Sequence, residues 1–372
     1  MVKISYAEIE KVRQASKPED LYEPLQNAIE LEHSTIPPYL TAFYSIKRGF
    51  NKEVADIILS VVRQEMLHMT IAANVLNAIG GHPVVNKSGF IPEYPGKLPG
   101  NIEPDLQVGL APLSIKLVRD IFMKIEQPEE PQDFPQEYIP PSVKVANKVP
   151  FRMQEVYQTI GEFYKAIIDK IKELDSKGKA IIIGDPNFQV DNAQWFPEKL
   201  LFKITTVDLA TQGLTIIAQQ GEGVGKSPVD SIEHELAHYY KFSQIDKGYH
   251  LYQKEDSSFV YNTAQPIPFD ATGIYNLVEN SRAAYYKPNS VAGRMVDQFN
   301  YSYTSLLNGL HRTFNGEPNY LNTVMGLMFD LKLQAQNMAE RKITSDDLKK
   351  GVSQEDKVDK SLAPSFEYPP ID

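Results

Sequence analysis

The stretch Asn51-Lys-Glu-Val-Ala-Asp-Ile-Ile-Leu-Ser-Val-Val-Arg-Gln-Glu65-Met-Leu-His68-Met-Thr-Ile-Ala-Ala-Asn-Val-Leu-Asn-Ala-Ile79 repeats apolar side chains at Val54, Ile58, Val61, Ala72, Val75 and Ile79. Steps of three and four residues mark one face of an α-helix. In the middle of that face stand Glu65 and His68, so a carboxylate and an imidazole point where the core residues point. Gly80-Gly81-His82-Pro83 then stops the helix.

Working outward, residues 18–50 form a preceding helix joined by a short turn, hence antiparallel. Its stripe (Leu25, Ala28, Ile29, Ile36, Tyr39, Phe43) carries Glu32 facing inward, and Pro37-Pro38 inside it remove two backbone donors, predicting a kink or bulge. Residues 83–150 hold 12 of the 26 prolines and read as a long crossover with one helical stretch at 113–126. A third long helix is expected over 153–174, a β-like piece over 180–190, and a shorter helix over 206–220. A fourth long helix is expected over 229–245, with Ile232, Glu235, His238, Phe242 and Ile245 on one face. Residues 288–314 and 318–341 form a helical hairpin, and the polar residues 342–360 a solvated linker or tail. The expected fold is all-α: a four-helix bundle with long crossover insertions, a minor β-hairpin and an additional carboxy-terminal helical hairpin. Residues 1–250 would be the metal-binding bundle and 251–372 an extension packed on it.

Glu-x-x-His occurs three times, at Glu30/His33, Glu65/His68 and Glu235/His238. The first pair does not share the inward face of its helix and is set aside. The other two, with Glu32, form a buried acidic cluster that costs several kcal/mol per bare carboxylate unless a cation compensates it. Dinuclear carboxylate sites take one Glu from each of two helices and one Glu-x-x-His from each of two others. Glu162 in the third helix and Glu222, between Gly221 and Gly223, compete for the fourth carboxylate. Tyr39 is a pocket candidate that donates a hydrogen bond, lies on a radical path, or simply packs in the core.

Composition narrows the chemistry. Cysteine is absent, which removes disulfides, thiolate metal sites and iron–sulfur clusters. The net charge of −10, with no basic patch, argues against nucleic acid and anionic lipid as partners. No apolar run approaches the length of a membrane span, and the first residues lack a secretory core, so a cytoplasmic protein is expected.

Several motifs resemble those of the bacterial ferritin-like family related to iminophenyl-pyruvate dimer synthases. They are Ile29-Glu-Leu-Glu32-His-Ser-Thr-Ile36-Pro-Pro-Tyr39-Leu, Arg63-Gln-Glu65-Met-Leu-His68-Met, Leu98-Pro-Gly100 with Leu110-Ala-Pro-Leu-Ser114, Gln220-Gly-Glu-Gly223, His238-Tyr-Tyr-Lys-Phe242, Asp297-Gln-Phe-Asn300 and Ala363-Pro-Ser-Phe366-Glu. That domain also occurs in larger enzymes that couple oxidised aryl amino acids in violacein and rebeccamycin biosynthesis. The resemblance implies a ferritin-like bundle.

The expectation is a protein with two metal ions, iron first and manganese second, held by Glu32, Glu65, His68, Glu162, Glu235 and His238, with Glu222 as rival or supporting group. Its partners would be O₂ and a small amino-acid-derived substrate, with homo-oligomerisation open. Iron handling (ferroxidase activity or peroxide scavenging) and a metal-free interaction scaffold are the alternatives.

Overall fold

The structure, a computed structural model, describes residues 6–101, 106–128, 130–137 and 159–368. Helix α1 (Tyr6–Gln14) leads into α2 (Tyr22–Tyr44), which turns within seven residues into α3 (Lys52–Ala78). The two long helices pack along each other as the antiparallel pair expected. Helix α2 continues through both prolines, Pro37 and Pro38, to Tyr44. Pro38 leaves the Ser34 carbonyl without its helical donor, and the Tyr94 hydroxyl supplies one at 2.7 Å.

The crossover contributes α4 (Ile115–Leu117), a π-helical turn over Val118–Phe122, and α5 (Met123–Ile125). Helix α6 (Ile160–Ser176) packs along α7 (Val207–Glu222), and α7 in turn lies on α3. The expected start of the third helix, at 153–158, falls outside the described residues. Helix α8 (His238–Lys247) is packed against α3, α5, α7 and the π-helical turn.

Two corrections concern local structure. The β-like piece at 180–190 contains no strand. Ile183 and Gly184 donate to the Ala78 carbonyl at 3.0 and 2.9 Å, and the Asn74 side chain bonds both backbone groups of Val190. The polar groups a strand would offer are used to cap and flank the end of α3. The β-hairpin lies instead at β1 (Tyr249–Gln253) and β2 (Phe259–Pro266), antiparallel, with Leu251 opposite Tyr261.

The fourth helix begins at His238, nine residues later than expected. Asp230 accepts hydrogen bonds from the backbone N–H groups of Ile232, Glu233 and Glu235 at 2.8, 2.6 and 3.1 Å, and His234 takes a left-handed φ of 57°. These local bonds compete with the helical ladder and hold residues 229–237 as a loop.

Helices α9 (Val291–Phe314) and α10 (Leu321–Glu340) form the carboxy-terminal hairpin, with α9 on α3 and α10 on α2. The expected solvated tail is pinned. Ile343, Asp347 and Leu348 are buried, and Asp347 accepts from Arg341, Thr344 and the Ala292 N–H at the start of α9. One buried apolar cluster extends from Ile9 to Phe366. Among the described residues, no helix is long and apolar enough to cross a membrane.

Candidate metal centre

Four of the expected residues converge. Glu32 comes from the middle of α2, Glu65 and His68 from α3, and His238 is the first residue of α8; each is 6 % exposed or less. Nδ1 of His68 lies 3.3 Å from Oε2 of Glu32, and Nδ1 of His238 lies 2.9 Å from Oε1 of Glu65. The two imidazoles are stacked, with centroids 5.3 Å apart. One donor atom each from Glu65, His68 and His238 falls within 4.8 Å of the others.

Three further groups complete the site. Glu126, immediately after α5, brings Oε2 to 3.4 Å from Nδ1 of His238, and its other oxygen accepts a short hydrogen bond from the Tyr39 hydroxyl. Tyr164 of α6 donates a similarly short bond to Glu32. Glu222, the last residue of α7, lines the same cavity of about 40 Å³, and its Oε1 accepts the Gly161 N–H at 2.7 Å. Gly161 matters because a Cβ there would meet Oε2 of Glu222 at 2.6 Å. Leu31, Ile125, Ile160 and Ile217 supply the apolar lining.

Glu162 and Glu235 are not brought to this cluster. Glu162 is the third residue of α6 and forms a capping box with Thr159: its carboxylate accepts the Thr159 N–H at 2.9 Å while the Thr159 hydroxyl accepts the Glu162 N–H at 3.0 Å. Its charge is spent on the helix end. Glu235 lies in the loop before α8, where three-residue spacing no longer places it beside His238, and its exposed carboxylate pairs with Lys241 at 2.8 Å. His33, from the Glu-x-x-His pair set aside, meets the Tyr303 hydroxyl at 2.7 Å instead. Tyr39 holds Glu126 by its hydroxyl while its ring packs edge-on against Phe122 and Phe242.

The electrostatics are those of a site short of positive charge. Burial, reinforced by the charges of Glu126 and Glu32, pushes the Glu65 carboxyl well above its usual range. Burial also pushes Glu32 upward, but hydrogen bonds from His68, Glu65 and Tyr164 outweigh it and hold Glu32 below its ordinary value. Burial, against the opposing pull of Glu126, keeps His238 below the ordinary imidazole value. Among the described residues no Lys or Arg forms an ion pair with Glu32, Glu65 or Glu126. Among the described residues neither ring nitrogen of His238 has an aligned hydrogen bond, although both are buried; the 2.9 Å approach of Nδ1 to Glu65 has the distance of a bond but not its direction. The buried Glu65, His68 and His238 donors, with the ring nitrogens of His238 left without partners among the described residues, could hold a metal ion.

A model of the ferritin-like family matches residues 25–247, which include every residue of the cluster. Among solved structures, the chain is similar to a ferritin-like protein from Caulobacter vibrioides, at 24% identity and a TM-score of 0.55, over 86% of this chain and 96% of that one. No curated protein matches the sequence.

Proposed function

The chain belongs to the ferritin-like family, and on that footing we propose that it is a non-haem dinuclear metal protein, with iron first and manganese second, that uses O₂ to oxidise or oxidatively couple a small amino-acid-derived molecule. The observation that carries this is the buried set of Glu32, Glu65, Glu126, His68 and His238, with Glu222 at its edge and, among the described residues, no cationic side chain paired to Glu32, Glu65 or Glu126. Four carboxylates and two imidazoles match the donor inventory of dinuclear sites in helical bundles. Here Glu126 comes from the crossover, and Glu222 with His238, split by a loop, stands in for the second Glu-x-x-His. Hard oxygen donors with two imidazoles suit iron or manganese.

When bound, the metal pair supplies Lewis acidity and redox capacity toward O₂. The protein does the rest. Tyr39 and Tyr164 hold Glu126 and Glu32 in place through their hydroxyls, and burial keeps both phenols protonated at neutral pH. The apolar lining keeps bulk water away. The motifs that resemble the dimer-synthase-related family are more specific for the fold than for the reaction, and they support oxidation and oxidative coupling alike.

The test is anaerobic loading with Fe(II), elemental analysis, and then mixing with O₂ under absorbance detection. Two irons per chain and an O₂-dependent absorbance change, followed by O₂ uptake on adding amino-acid-derived substrates, support the proposal. Iron loading far beyond two per chain would assign the protein to iron handling, and absence of metal would leave a scaffold.

A further inference from the structure

Gln220, two residues before the end of α7, is 1 % exposed and stands between the cluster and a polar chain leading to the surface. Its Oε1 lies 2.9 Å from Nε2 of His68, and its Nε2 donates to Oε2 of Glu233 at 3.5 Å. The other oxygen of Glu233 pairs with Lys199 at 3.1 Å. Glu233 is delivered there by the loop that Asp230 organises, which is further tied to α7 by the Ser231 hydroxyl donating to Gln219 at 2.6 Å.

The chemistry of these groups fixes a proton. A carboxylate paired to lysine only accepts, so the amide face turned to Glu233 must be the NH₂, and the carbonyl face falls on His68. A carbonyl oxygen also only accepts, so Nε2 of His68 carries the hydrogen. Nδ1, turned to Oε2 of Glu32 3.3 Å away, carries a hydrogen toward that carboxylate while no metal is bound, and gives up that hydrogen when a metal ion takes its place. A lone pair facing a carboxylate oxygen is repulsive, so either a proton or a metal ion lies between them.

We propose that Lys199, Glu233 and Gln220 form a relay from the surface that fixes His68 as the Nε2–H tautomer and thereby makes Nδ1 its metal-binding atom. Gln220 and Glu233 are positioning residues. This rests on the dinuclear metal reading. Among the described residues no comparable partner holds His238, whose Nε2 has no hydrogen bond there, so the relay acts on one imidazole of the two, and partners of this kind change metal affinity by about 10–100-fold.

The experiment uses the full chain and Zn²⁺ as the probe, since zinc is diamagnetic and competes well at imidazole–carboxylate sites. ¹⁵N-histidine NMR of the zinc-loaded wild type should show His68 with Nδ1 bound to metal and Nε2 protonated. In competition titrations, Gln220→Leu should weaken one of two zinc sites by about 10–100-fold and leave the other unchanged. Gln220→Glu, which still accepts from Nε2–H, should restore that site, whereas a purely packing role would not distinguish the two substitutions. Glu233→Gln, at a half-buried position that tolerates polarity, should weaken the same site by letting the Gln220 amide turn, and it keeps the test alive if Gln220→Leu does not fold. Wild-type affinity in both Gln220→Leu and Glu233→Gln, or Nε2-bound zinc at His68 in the wild type, would overturn the relay while leaving the metal site standing. A wild type that takes up no zinc at the cluster would overturn both.

Discussion

Gly161→Ala separates the carboxylate that lines the cavity from the rest of the fold. A Cβ at this position would lie 2.6 Å from Oε2 and 3.3 Å from Oε1 of Glu222, against an ordinary contact distance of at least 3.4 Å. Relief requires the carboxylate to retreat by about 0.8 Å, whereas metal–ligand distances tolerate only about 0.2 Å. Under the proposed function this shift would displace Glu222 from a metal in the variant. The backbone bond from Gly161 N–H, 2.7 Å in the wild type, is lost or stretched at a cost of about 1.5–3 kcal/mol for a charged acceptor. Alanine's better helix propensity returns about 1 kcal/mol. The expected net destabilisation is about 0.5–2 kcal/mol, read by chemical unfolding of the metal-free chain. Titration with Mn²⁺ followed by elemental analysis should show one of two metals lost, or bound at least about tenfold more weakly. A variant that retains both metals at wild-type affinity would show that Glu222 is no ligand and that the fit between Gly161 and Glu222 is packing alone.

Glu126→Gln should have effects of opposite sign on the two forms of the protein. Removing a charge that pushes Glu65 upward leaves the metal-free chain as stable or more so, while metal binding weakens by at least about tenfold; unfolding and metal titration on the same preparation check both. Glu162→Ala should cost about 1 kcal/mol through the lost cap of α6, Glu235→Ala no more than about 1 kcal/mol as a surface pair, and neither should change metal stoichiometry. Asp347→Asn should destabilise by about 1.5–3 kcal/mol at neutral pH. Burial pushes this carboxyl up, but bonds from Thr344, Ala292 and Arg341 outweigh it and hold it below 3.8. Its contribution is thus complete above pH 3.8 and vanishes as the pH falls through the lower folded value, so wild-type and variant unfolding curves should converge in acid.

How much was legible in the sequence depended on whether the backbone was a helix where periodicity assumed one. Glu65 and His68 lie on an uninterrupted helix of 27 residues, and their inward direction followed from the spacing alone. Glu32 was equally legible because α2 survives its prolines with outside help from Tyr94. Glu235 was misplaced because three-residue spacing has meaning only inside a helix, and Asp230 diverts that backbone into a loop. Glu162 carried its own signal, since Thr159-Ile-Gly-Glu162 is a capping box, but an expected helix start at 153 hid it.

Glu126 was missed because the crossover was treated as a connection. Its signal was present in the one helical stretch of that segment, four residues beyond the buried Phe122. Tyr164 and Gln220 had no local signal of their own, because their partners are 132 and 152 residues away. Glu222 was singled out for its flanking glycines, yet the close approach is made by Gly161, on a different helix.

Anomalous diffraction from crystals of the Mn²⁺-loaded chain tests the central claim most directly. Two peaks about 3.5–4 Å apart should stand in the cavity, in contact with Glu65, His68 and His238. A cavity without metal, with those side chains still bonded to one another and manganese only at surface carboxylates, would contradict it.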